Sequence, residues 1–463
     1  MRKPMRLMLC QLGVQYRSFG SGQPHLSVPL ALGYLVSGLD AAGLLQSCRV
    51  KILGPDFSLY AADAAIISEI LKYRPAVVGF SCYCWNIRRT LFIASGLKAQ
   101  QPDIFIVLGG PEATENSGDI LSKHPYISAV VRGEGEEAFP RLIARLLEDN
   151  LPVGIPGLSI RLPDAVHHSP QLAYVTDIGR YPSPYEKGYL DIGRYGSLNI
   201  ETVRGCIFHC DYCYYPKQFT RIRAFDLDRL KREVKLAAKA GISKGYLMDP
   251  VFNLPGRVGP LCRAIADGNE QGQISFQTEA RAELIRRETA ELFYLANIRS
   301  VEIGLQTTNR AALRHINRTF SPGSFSRAVE TLQKAGIHVR VGIITGLPGD
   351  RIIDVEHTLD FLMELGIEDI QCFLLQVLPG TRLRARAGEL GLVYMPEPPY
   401  YIIQNRELSE EEIHLVYSYA RKRIRLLSHK EPYSPDLTMG RAEVGLYGVN
   451  SISSRIDDSG GGG

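Results

Sequence analysis

The sequence predicts an α/β protein built from two successive domains. Residues 1–145 alternate short apolar segments with amphipathic helices, the pattern of a doubly wound, Rossmann-like parallel sheet. Residues 146–196 are rich in proline and glycine and weakly periodic, which predicts a linker. The alternation returns over residues 197–387 with about six strand–helix units, typical of a partial (β/α)6 barrel. Residues 388–463 are predicted to form a small helical segment that ends in a flexible glycine tail.

The first domain is predicted to have five strands, each ended by glycine, proline or polar residues. The ligand of such a sheet lies beyond the carboxyl ends of its strands. The predicted strands are residues 6–12, 50–53, 76–80, 104–108 and 129–131. Their carboxyl ends, and therefore the expected ligand site, are residues 10–14, 56, 81–86, 109–114 and 133–136.

The second domain repeats this order, although periodicity alone does not distinguish a partial barrel from an open sheet. Its strands are predicted at residues 197–203, 245–248, 274–280, 300–304, 338–344 and 369–377. Further on, Ser409 and Glu412 form the pattern of a capping box at the start of a helix over residues 409–427. That helix is expected to pack on the barrel.

Composition excludes several classes of protein. The 463 residues carry 53 basic and 49 acidic side chains, so the small net charge of +4 gives no case for nucleic-acid binding. No stretch approaches the roughly 20 apolar residues of a membrane span, and the basic start is not followed by the apolar run of a secretory signal. The odd number of cysteines, nine, favours a reducing, cytoplasmic setting over a disulfide framework.

Three of those cysteines form the most informative motif, Cys206-Ile-Phe-His-Cys210-Asp-Tyr-Cys213. Iron–sulfur clusters are normally held by four cysteine thiolates, so three leave one iron open to a substrate or cofactor. Two alternatives are three unrelated cysteines in a tyrosine-rich loop, and half of a zinc site to which His209 contributes.

This motif, with Tyr212 before its last cysteine, resembles that of the radical S-adenosylmethionine (SAM) superfamily. The resemblance implies a [4Fe–4S] cluster on Cys206, Cys210 and Cys213, with SAM chelated at the open iron and Tyr212 near its adenine. Where the family often has Gly-Gly-Glu to hold the SAM amino group, this chain has Asp249 and, further on, Asn253. These residues either substitute for the triplet or simply form a turn.

Further segments follow the same resemblance in order along the barrel. Gln277, Glu279 and Arg281 alternate on one strand and so share a face. They are expected to point into a polar lumen toward the ribose or carboxylate of SAM, with an internal Glu–Arg ion pair as the alternative. Segments 302–307, 342–350 and 378–381 resemble family segments that contact SAM, which assigns cofactor-binding positions to Gln306, Gly342 and Gly346.

The first domain resembles the B12-binding-type domain that precedes many radical SAM domains. The matching segments are Pro29–Tyr34, Gly79–Asn86, Gly109–Glu112 and Arg132–Glu137. The Asp-x-His-x-x-Gly motif of other cobalamin proteins is absent, so no residue is assigned as a cobalt ligand. Cobalamin is therefore a candidate cofactor, and tight turns of a degenerate domain are the alternative. The single tryptophan, Trp85, is either a domain-interface aromatic or a substrate contact.

The resemblance implies an enzyme that cleaves SAM reductively to a 5′-deoxyadenosyl radical and abstracts hydrogen from a small polar molecule, such as a natural product or sugar. Cobalamin-dependent methylation and radical dehydration are both open outcomes. One alternative is a cobalamin-independent diol dehydratase acting on an aminoglycoside sugar, as in apramycin biosynthesis; another is a non-catalytic redox or cobalamin sensor. An electron donor of flavodoxin or ferredoxin type, or a partner reductase, is expected. No catalytic residue and no substrate can be named.

Overall fold

The computed structural model describes residues 3–13, 28–215 and 221–427, and its first domain is built on a seven-stranded sheet. The strands are β1 (Met5–Cys10), β2 (Cys48–Ile52), β3 (Val77–Ser81), β4 (Phe105–Gly109), β5 (Ala129–Val131), β6 (Leu158–Arg161) and β7 (Val166–His168). The helices are α1 (Leu30–Ala41), α2 (Asp63–Tyr73), α3 (Ile87–Gln100), α4 (Pro111–Glu115), α5 (Ser117–Lys123) and α6 (Gly135–Leu147).

Strands β1 to β5 are parallel, in the order β2-β1-β3-β4-β5, and helices cover both faces. Successive side chains of β1 point to opposite faces of the sheet, and both faces are apolar. Leu7 and Leu9 belong to the apolar cluster that includes residues of α1 and α6, whereas Met8 and Cys10 join the cluster on the opposite face with residues of α2 and α3. The sequence-based prediction of a doubly wound α/β domain is confirmed.

The segment expected to be a linker is only partly irregular. Within it, β6 pairs antiparallel with β5 and β7 pairs antiparallel with β6, which extends the sheet of the first domain. The alternating residues Leu158 and Ile160 are buried. The strands are so short, and so closely flanked by proline and glycine, that the period-two pattern is hidden in the sequence.

The second domain contains a six-stranded parallel sheet in the order β8-β11-β12-β13-β14-β15. Its strands and two short strand pairs are β8 (Leu198–Ile200), β9 (Val203–Arg204), β10 (Arg223–Ala224), β11 (Lys244–Leu247), β12 (Ser275–Ala280), β13 (Ile298–Gln306), β14 (His338–Thr345), β15 (Asp369–Leu374), β16 (Val393–Tyr394) and β17 (Ile402–Gln404). Its helices are α7 (Ile192–Tyr195), α8 (Leu227–Lys239), α9 (Val258–Gly268), α10 (Arg287–Leu295), α11 (Arg310–His315), α12 (Pro322–Lys334), α13 (Ile352–Glu364), α14 (Arg382–Ala385) and α15 (Glu410–Leu427).

Each sheet strand neighbours the next one along the chain, as in a (β/α)6 partial barrel, so the predicted fold class is confirmed. The strand predicted at 197–203 is divided into β8 and β9, and the end of the chain adds the unpredicted pair β16–β17. The predicted capping box is present, because the Ser409 backbone N–H donates to the Glu412 carboxylate at 2.8 Å. The helix that it caps, α15, buries Ile413, Val416 and Ala420 in the core of the second domain. The predicted glycine tail lies outside the described residues.

The two domains share apolar packing. Leu30 and Tyr34 of α1 belong to the same buried cluster as the barrel core, and the Tyr34 ring stacks on Phe225 with centroids 5.6 Å apart. Among the helices that the structure describes, none combines the length and the apolar character needed to cross a lipid bilayer.

Candidate active site

A cavity of about 430 Å³ opens where the carboxyl ends of the first sheet meet the second domain. Both domains line it. The first domain contributes Gln11, α1, the strand ends at Gly79–Ser81 and Val107–Pro111, and the Gly133–Glu136 turn; the second contributes Glu201, Arg204, Gly205, Tyr214, Tyr215, Arg223 and Met248. The strand ends predicted to form the ligand site are therefore mostly confirmed as cavity walls. The predicted positions that line it are Gln11, Ser81, Tyr83, residues 109–111 and residues 133–136; the other described positions, among them Asp56 and Trp85, do not.

Glycine allows the backbone to form this wall. Gly110 has a φ of +95°, and a Cβ placed there would lie 2.6 Å from the carbonyl oxygen of Cys82. Any side chain at this position would collide with the neighbouring strand end and would also be strained. The Gly-Gly-Pro-Glu segment thus brings bare backbone to the cavity, which suits a large ligand that lies close against it.

Trp85 stands apart from the cavity wall. Its ring stacks on Tyr83, which does line the cavity, with centroids 4.4 Å apart, and 57% of Trp85 is exposed. Next to it, Gln376 of the second domain donates to the Cys84 sulfur at 3.8 Å. Trp85 thus follows a residue that contacts the second domain, and its own place at the domain interface stays a prediction.

The three motif cysteines lie on one loop after β9. Cys210 is buried, Cys206 and Cys213 are partly buried, and none of the three forms a disulfide. The backbone N–H of Phe208 donates to the Cys206 sulfur at 3.4 Å. This donor set suits three ligands of an iron–sulfur cluster. In the described part of the chain, however, no three His, Cys, Asp or Glu side chains are arranged around a common centre as a metal site.

The cysteine loop is anchored through Asp211, which is buried. Its backbone N–H donates to the Ile316 carbonyl at 2.9 Å, and its own carbonyl accepts from the Leu383 N–H at 3.0 Å. The Asp211 carboxylate accepts from Arg386 at 3.0 Å. These contacts tie the loop to the residue after α11 and to α14, and neither partner carries a motif that sequence reasoning could have used.

Arg318 is a site residue that the sequence analysis missed. Its guanidinium lies 3.7 Å from the Cys210 sulfur and 3.4 Å from the Tyr212 hydroxyl, and it also donates to the Gly304 carbonyl. Burial raises the pKa of the Tyr212 hydroxyl, so Tyr212 stays neutral. Burial raises the pKa of the Cys206 thiol, and the guanidinium groups of Arg281 and Arg318 oppose that rise. In the sequence, Arg318 follows the Gly-Leu-Gln segment by twelve residues and belongs to none of the motifs quoted above.

Asp249 is hydrogen-bonded to the backbone just ahead of the cysteine loop. It is almost fully buried, and its carboxylate accepts from the backbone N–H groups of Thr202 at 2.7 Å and Val203 at 3.2 Å, and from the Thr202 hydroxyl. Burial raises its pKa to about 6, against the opposite effect of these hydrogen bonds. The carboxylate captures the N–H groups between β8 and β9 and so interrupts the single strand predicted there. This geometry matches the turn alternative for Asp249.

Asn253, the other candidate for that role, is also committed to backbone. It donates to the Arg281 carbonyl and accepts from the Arg281 N–H, both at 3.0 Å. These two bonds fix the backbone of Arg281 at the end of β12. Arg281 in turn pairs with Glu283 at 3.0 Å, and its guanidinium lies 4.1 Å from the centroid of the Phe208 ring. Arg281 therefore touches the cysteine loop.

Gln277 and Glu279 are partly exposed on the same face of β12 as predicted, with buried Thr278 between them. The expected alternative, a Glu279–Arg281 ion pair, is not formed: Glu279 accepts from the Tyr246 hydroxyl at 2.7 Å instead. Glu279 pairs in register with Glu302 of β13. Burial and this neighbouring carboxyl raise the pKa of Glu302 to about 7, so the lumen contains a pair of carboxyls that readily keeps a proton.

The remaining predicted site residues lie on the glycine-rich carboxyl-terminal parts of β13 and β14. Gly342 pairs in register with Gly304, and Gln306 has a φ of +74° at the irregular end of β13. Gly346, with a φ of +83°, would place a Cβ 2.7 Å from Ile402 of β17. Gly346 is therefore required by the packing of the C-terminal strand pair, a role that the sequence analysis did not foresee.

A buried ion network joins the two domains beside the cysteine loop. Arg204 pairs with Glu134 at 3.1 Å, Glu136 at 2.7 Å and Glu201 at 2.9 Å, and its guanidinium lies over the ring of Tyr34. Burial raises the pKa of the Glu201 carboxyl, and the Arg204 guanidinium opposes this rise. Because Arg204 is two residues before Cys206, the network links the Arg-Gly-Glu-Gly-Glu turn of the first domain directly to the loop.

Comparison with known proteins agrees with this site. Residues 200–362 match the radical SAM superfamily and residues 25–143 match the B12 binding domain. The chain therefore carries a radical SAM domain and, ahead of it, a B12-binding domain. This combination implies a [4Fe–4S] cluster, SAM and cobalamin as cofactors.

Among curated proteins, the chain is 26% identical over 347 residues to the cobalamin-dependent radical SAM methyltransferase TokK of Streptomyces tokunonensis, covering 70% of this chain and 51% of TokK. It is 27% identical over 390 residues to 2-(S-pantetheinyl)-carbapenam-3-carboxylate methyltransferase of Streptantibioticus cattleyicolor, covering 79% of this chain and 57% of that protein. The chain thus spans little more than half the length of these two relatives.

Solved structures show the same fold. The radical SAM methyltransferase TsrM of Kitasatospora setae superposes with a TM-score of 0.72 at 18% identity, over 91% of this chain and 89% of TsrM. The cobalamin-dependent SAM radical enzyme OxsB superposes with a TM-score of 0.71 at 18% identity, over 90% of this chain and 66% of OxsB. The comparisons give no support to the dehydratase alternative.

Proposed function

We propose that this chain is a cobalamin-dependent radical SAM methyltransferase that acts on a small polar molecule. The observation that carries the proposal is the cavity shared by the two domains. Its wall includes the glycine-rich strand ends of the B12-binding domain and Tyr214, the residue after Cys213. A cofactor in the cavity would therefore lie beside the cysteine loop.

The cofactor positions follow from the contacts described above. Cys206, Cys210 and Cys213 would hold the cluster, and Arg318 would neutralise part of its negative charge. The partly exposed lumen residues Gln277 and Glu279 would contact SAM, and Arg281 would bind its carboxylate beside the cysteine loop. When bound, these groups supply one-electron cleavage of SAM, hydrogen abstraction from the substrate and a transferable methyl group on cobalamin.

The cavity wall suits cobalamin in two ways. Glu134, Glu136 and Glu201 place carboxylates there, which can accept hydrogen bonds from the amide groups at the edge of a corrin. None of the described lining residues is a histidine. We therefore assign none of the described lining residues as a cobalt ligand.

The substrate class rests on the relatives. The carbapenam methyltransferase is named for a polar natural-product intermediate, and we propose a substrate of that kind here. A small-molecule substrate also agrees with a site that lies between two domains rather than on a broad basic surface. An electron donor of flavodoxin or ferredoxin type, or a partner reductase, would supply the reducing electron.

Anaerobic reconstitution tests the proposal. The protein is loaded with iron and sulfide, then incubated with SAM, dithionite and hydroxocobalamin, and the products are quantified. We expect S-adenosylhomocysteine to form only when cobalamin is present, and 5′-deoxyadenosine to form only when the cluster is present. If an intact cluster yields neither product, the chain is better described as a redox or cobalamin sensor. Turnover without cobalt would eliminate methyl transfer through cobalamin.

A further inference from the structure

Tyr214 lies where the cysteine motif and the cavity between the domains meet. It directly follows Cys213, whose backbone N–H donates to the Cys210 carbonyl at 3.2 Å, so the last two motif cysteines close a turn just before it. Tyr214 also lines the cavity, as does Tyr215. The chain therefore passes from the cysteine motif straight into the cavity wall.

The first domain holds the hydroxyl of Tyr214, which donates to the Glu115 carboxylate at 3.0 Å. Glu115 is the last residue of α4, the short helix that follows Gly109 and Gly110 in the cavity wall. Burial, and next the negative charge of Glu115, raise the pKa of the Tyr214 hydroxyl, so it stays protonated and remains a donor. This hydrogen bond therefore joins the end of the cysteine motif to the wall of the first domain.

Glu115 is itself fixed from both domains. The hydroxyl of the preceding residue, Thr114, accepts from the Gly133 N–H at 3.1 Å, which joins α4 to the next turn of the cavity wall. In the second domain, Gly380 leaves room for the carboxylate, because a Cβ at this position would lie 2.6 Å from a Glu115 oxygen. The acceptor is thus enclosed between the first domain and the segment after β15.

We propose that Tyr214, held in place by Glu115, is a positioning residue through which cobalamin in the cavity and the cluster on the cysteine loop strengthen each other's binding. This inference rests on the proposed function, which places the two cofactors at these two sites. Both cofactors need the Tyr214 segment in one conformation, because it forms part of the wall of one site and follows a ligand of the other. Whichever binds first loses conformational entropy in ordering the segment, so the second binds more tightly. By linkage, the gain in affinity is the same in either order.

Two binding measurements test the proposal without turnover. Hydroxocobalamin is dialysed to equilibrium under anaerobic conditions against cluster-free and cluster-loaded protein, and bound cobalt is analysed. The ratio of the two dissociation constants, cluster-free over cluster-loaded, is the coupling factor. We expect a factor of about five or more for the wild type. In the second measurement, hydroxocobalamin should slow the loss of iron from the loaded protein to a chelator.

Removing the Tyr214 hydroxyl alone should weaken the link. Tyr214→Phe keeps an aromatic ring in the cavity wall but cannot donate to Glu115, so its coupling factor should fall to about half of the wild-type factor or less. Arg204 still joins the other end of the loop to the first domain, which accounts for the remaining factor. A merely structural role would weaken hydroxocobalamin binding in both forms of the protein and leave their ratio unchanged.

Variants of the acceptor give an independent check. Glu115→Ala should lower the coupling factor as much as Tyr214→Phe does, and the double variant should show no further loss, because the two groups act as one unit. Glu115→Gln keeps an acceptor oxygen for the hydroxyl and should recover most of the factor. A further loss in the double variant would overturn the proposed pairing.

A second tyrosine–glutamate pair provides the matched control. The Tyr181 hydroxyl donates to the Glu137 carboxylate at 3.4 Å, and neither residue lines the cavity or belongs to the cysteine loop. Tyr181→Phe should keep the wild-type coupling factor. An equal fall in this control or an unchanged factor in Tyr214→Phe overturns the proposal, and so does a wild type whose affinity for hydroxocobalamin is independent of the cluster.

Failure of the proposed function would give a different result. If the wild type binds no hydroxocobalamin in either form, the assignment of cobalamin is wrong and this proposal falls with it. If the wild type shows the coupling factor but forms neither S-adenosylhomocysteine nor 5′-deoxyadenosine, the catalytic assignment fails and the link between the two sites stands.

Discussion

Replacing Tyr400 by phenylalanine should loosen the contact between the B12-binding domain and the end of the barrel. The Tyr400 hydroxyl donates to the Glu112 carboxylate, and both side chains are buried, with exposures of 3% and 6%. Glu112 follows Gly109, Gly110 and Pro111, which line the cavity. The hydroxyl therefore holds the cavity wall against the segment between β15 and β17.

The magnitude follows from the remaining partners of the carboxylate. A hydrogen bond to a charged group contributes about 1.5–3 kcal/mol, and a buried acceptor that loses it is costly. Glu112 keeps a second hydrogen bond from Asn116 at 2.8 Å, so the lower half of that range applies. We expect Tyr400→Phe to reduce the free energy of unfolding by about 2 kcal/mol at neutral pH.

The deficit should depend on pH. Burial raises the pKa of Glu112, and the hydrogen bond from Tyr400 opposes that rise. Removing the hydroxyl raises this pKa further, so the folded variant holds its proton up to a higher pH than wild type does. The stability deficit should therefore shrink as the pH falls and Glu112 becomes protonated in both proteins.

Urea unfolding of the apo chain, followed by the fluorescence of the single tryptophan at position 85, measures this effect. Tyr394→Phe is the matched control, because Arg384 stacks on both rings, at 4.9 Å for Tyr394 and 4.8 Å for Tyr400, but only Tyr400 bonds to Glu112. Equal stability of the two variants at every pH would refute the reasoning.

Three further predictions concern the cysteine loop, the buried ion network and the barrel. Replacing any one of the motif cysteines by alanine should abolish formation of 5′-deoxyadenosine and lower the iron content after reconstitution, which iron analysis measures; full turnover in any one variant contradicts the cluster assignment. Arg204→Met leaves Glu136 and Glu201 without their cation, while Glu134 keeps Arg223 at 2.6 Å, and it should cost about 3–5 kcal/mol in the free energy of unfolding, whereas a loss below about 1 kcal/mol would show that the network is not stabilising. Burial raises the pKa of Asp350 to about 8, so relative to Asp350→Asn the wild type should lose stability as the pH rises from about 4 to about 8 and then level off; parallel pH profiles of the two proteins would contradict this.

The two domains and the cysteine motif could be predicted from the sequence, whereas the strands β6 and β7 could not. The continuous apolar run Leu7–Cys10 and the order of strands and helices identified both domains, because parallel strands buried on two faces give such runs. The cysteine spacing pointed to the family because ligand chemistry restricts it. β6 and β7 were missed because their few apolar residues are too short a run to show a period.

The roles of individual site residues were harder to predict, because a sequence does not show which polar groups meet. Asp249 was expected either to contact SAM or to form a turn, and the structure shows its carboxylate engaged with the backbone ahead of the cysteine loop. Glu279 was expected to face SAM, with an ion pair to Arg281 as the alternative, and the structure shows its carboxylate accepting from the Tyr246 hydroxyl of the neighbouring strand. Arg318 lies 108 residues from Cys210 in sequence. Such contacts depend on strand register and loop path, which local patterns do not determine.

The contacts that hold the cysteine loop come from several different parts of the chain, and this distribution has a consequence for mechanism. Arg204 connects the loop to the Glu134 and Glu136 turn of the first domain. On the other side of the three cysteines, Tyr214 donates to Glu115 of α4 at 3.0 Å. Both ends of the loop are thus bound to the strand-end turns that form the cavity wall. The first domain therefore contacts the loop on both sides of the three cysteines. We expect these junctions, together with the cysteine motif, to determine how far the cluster lies from the cavity.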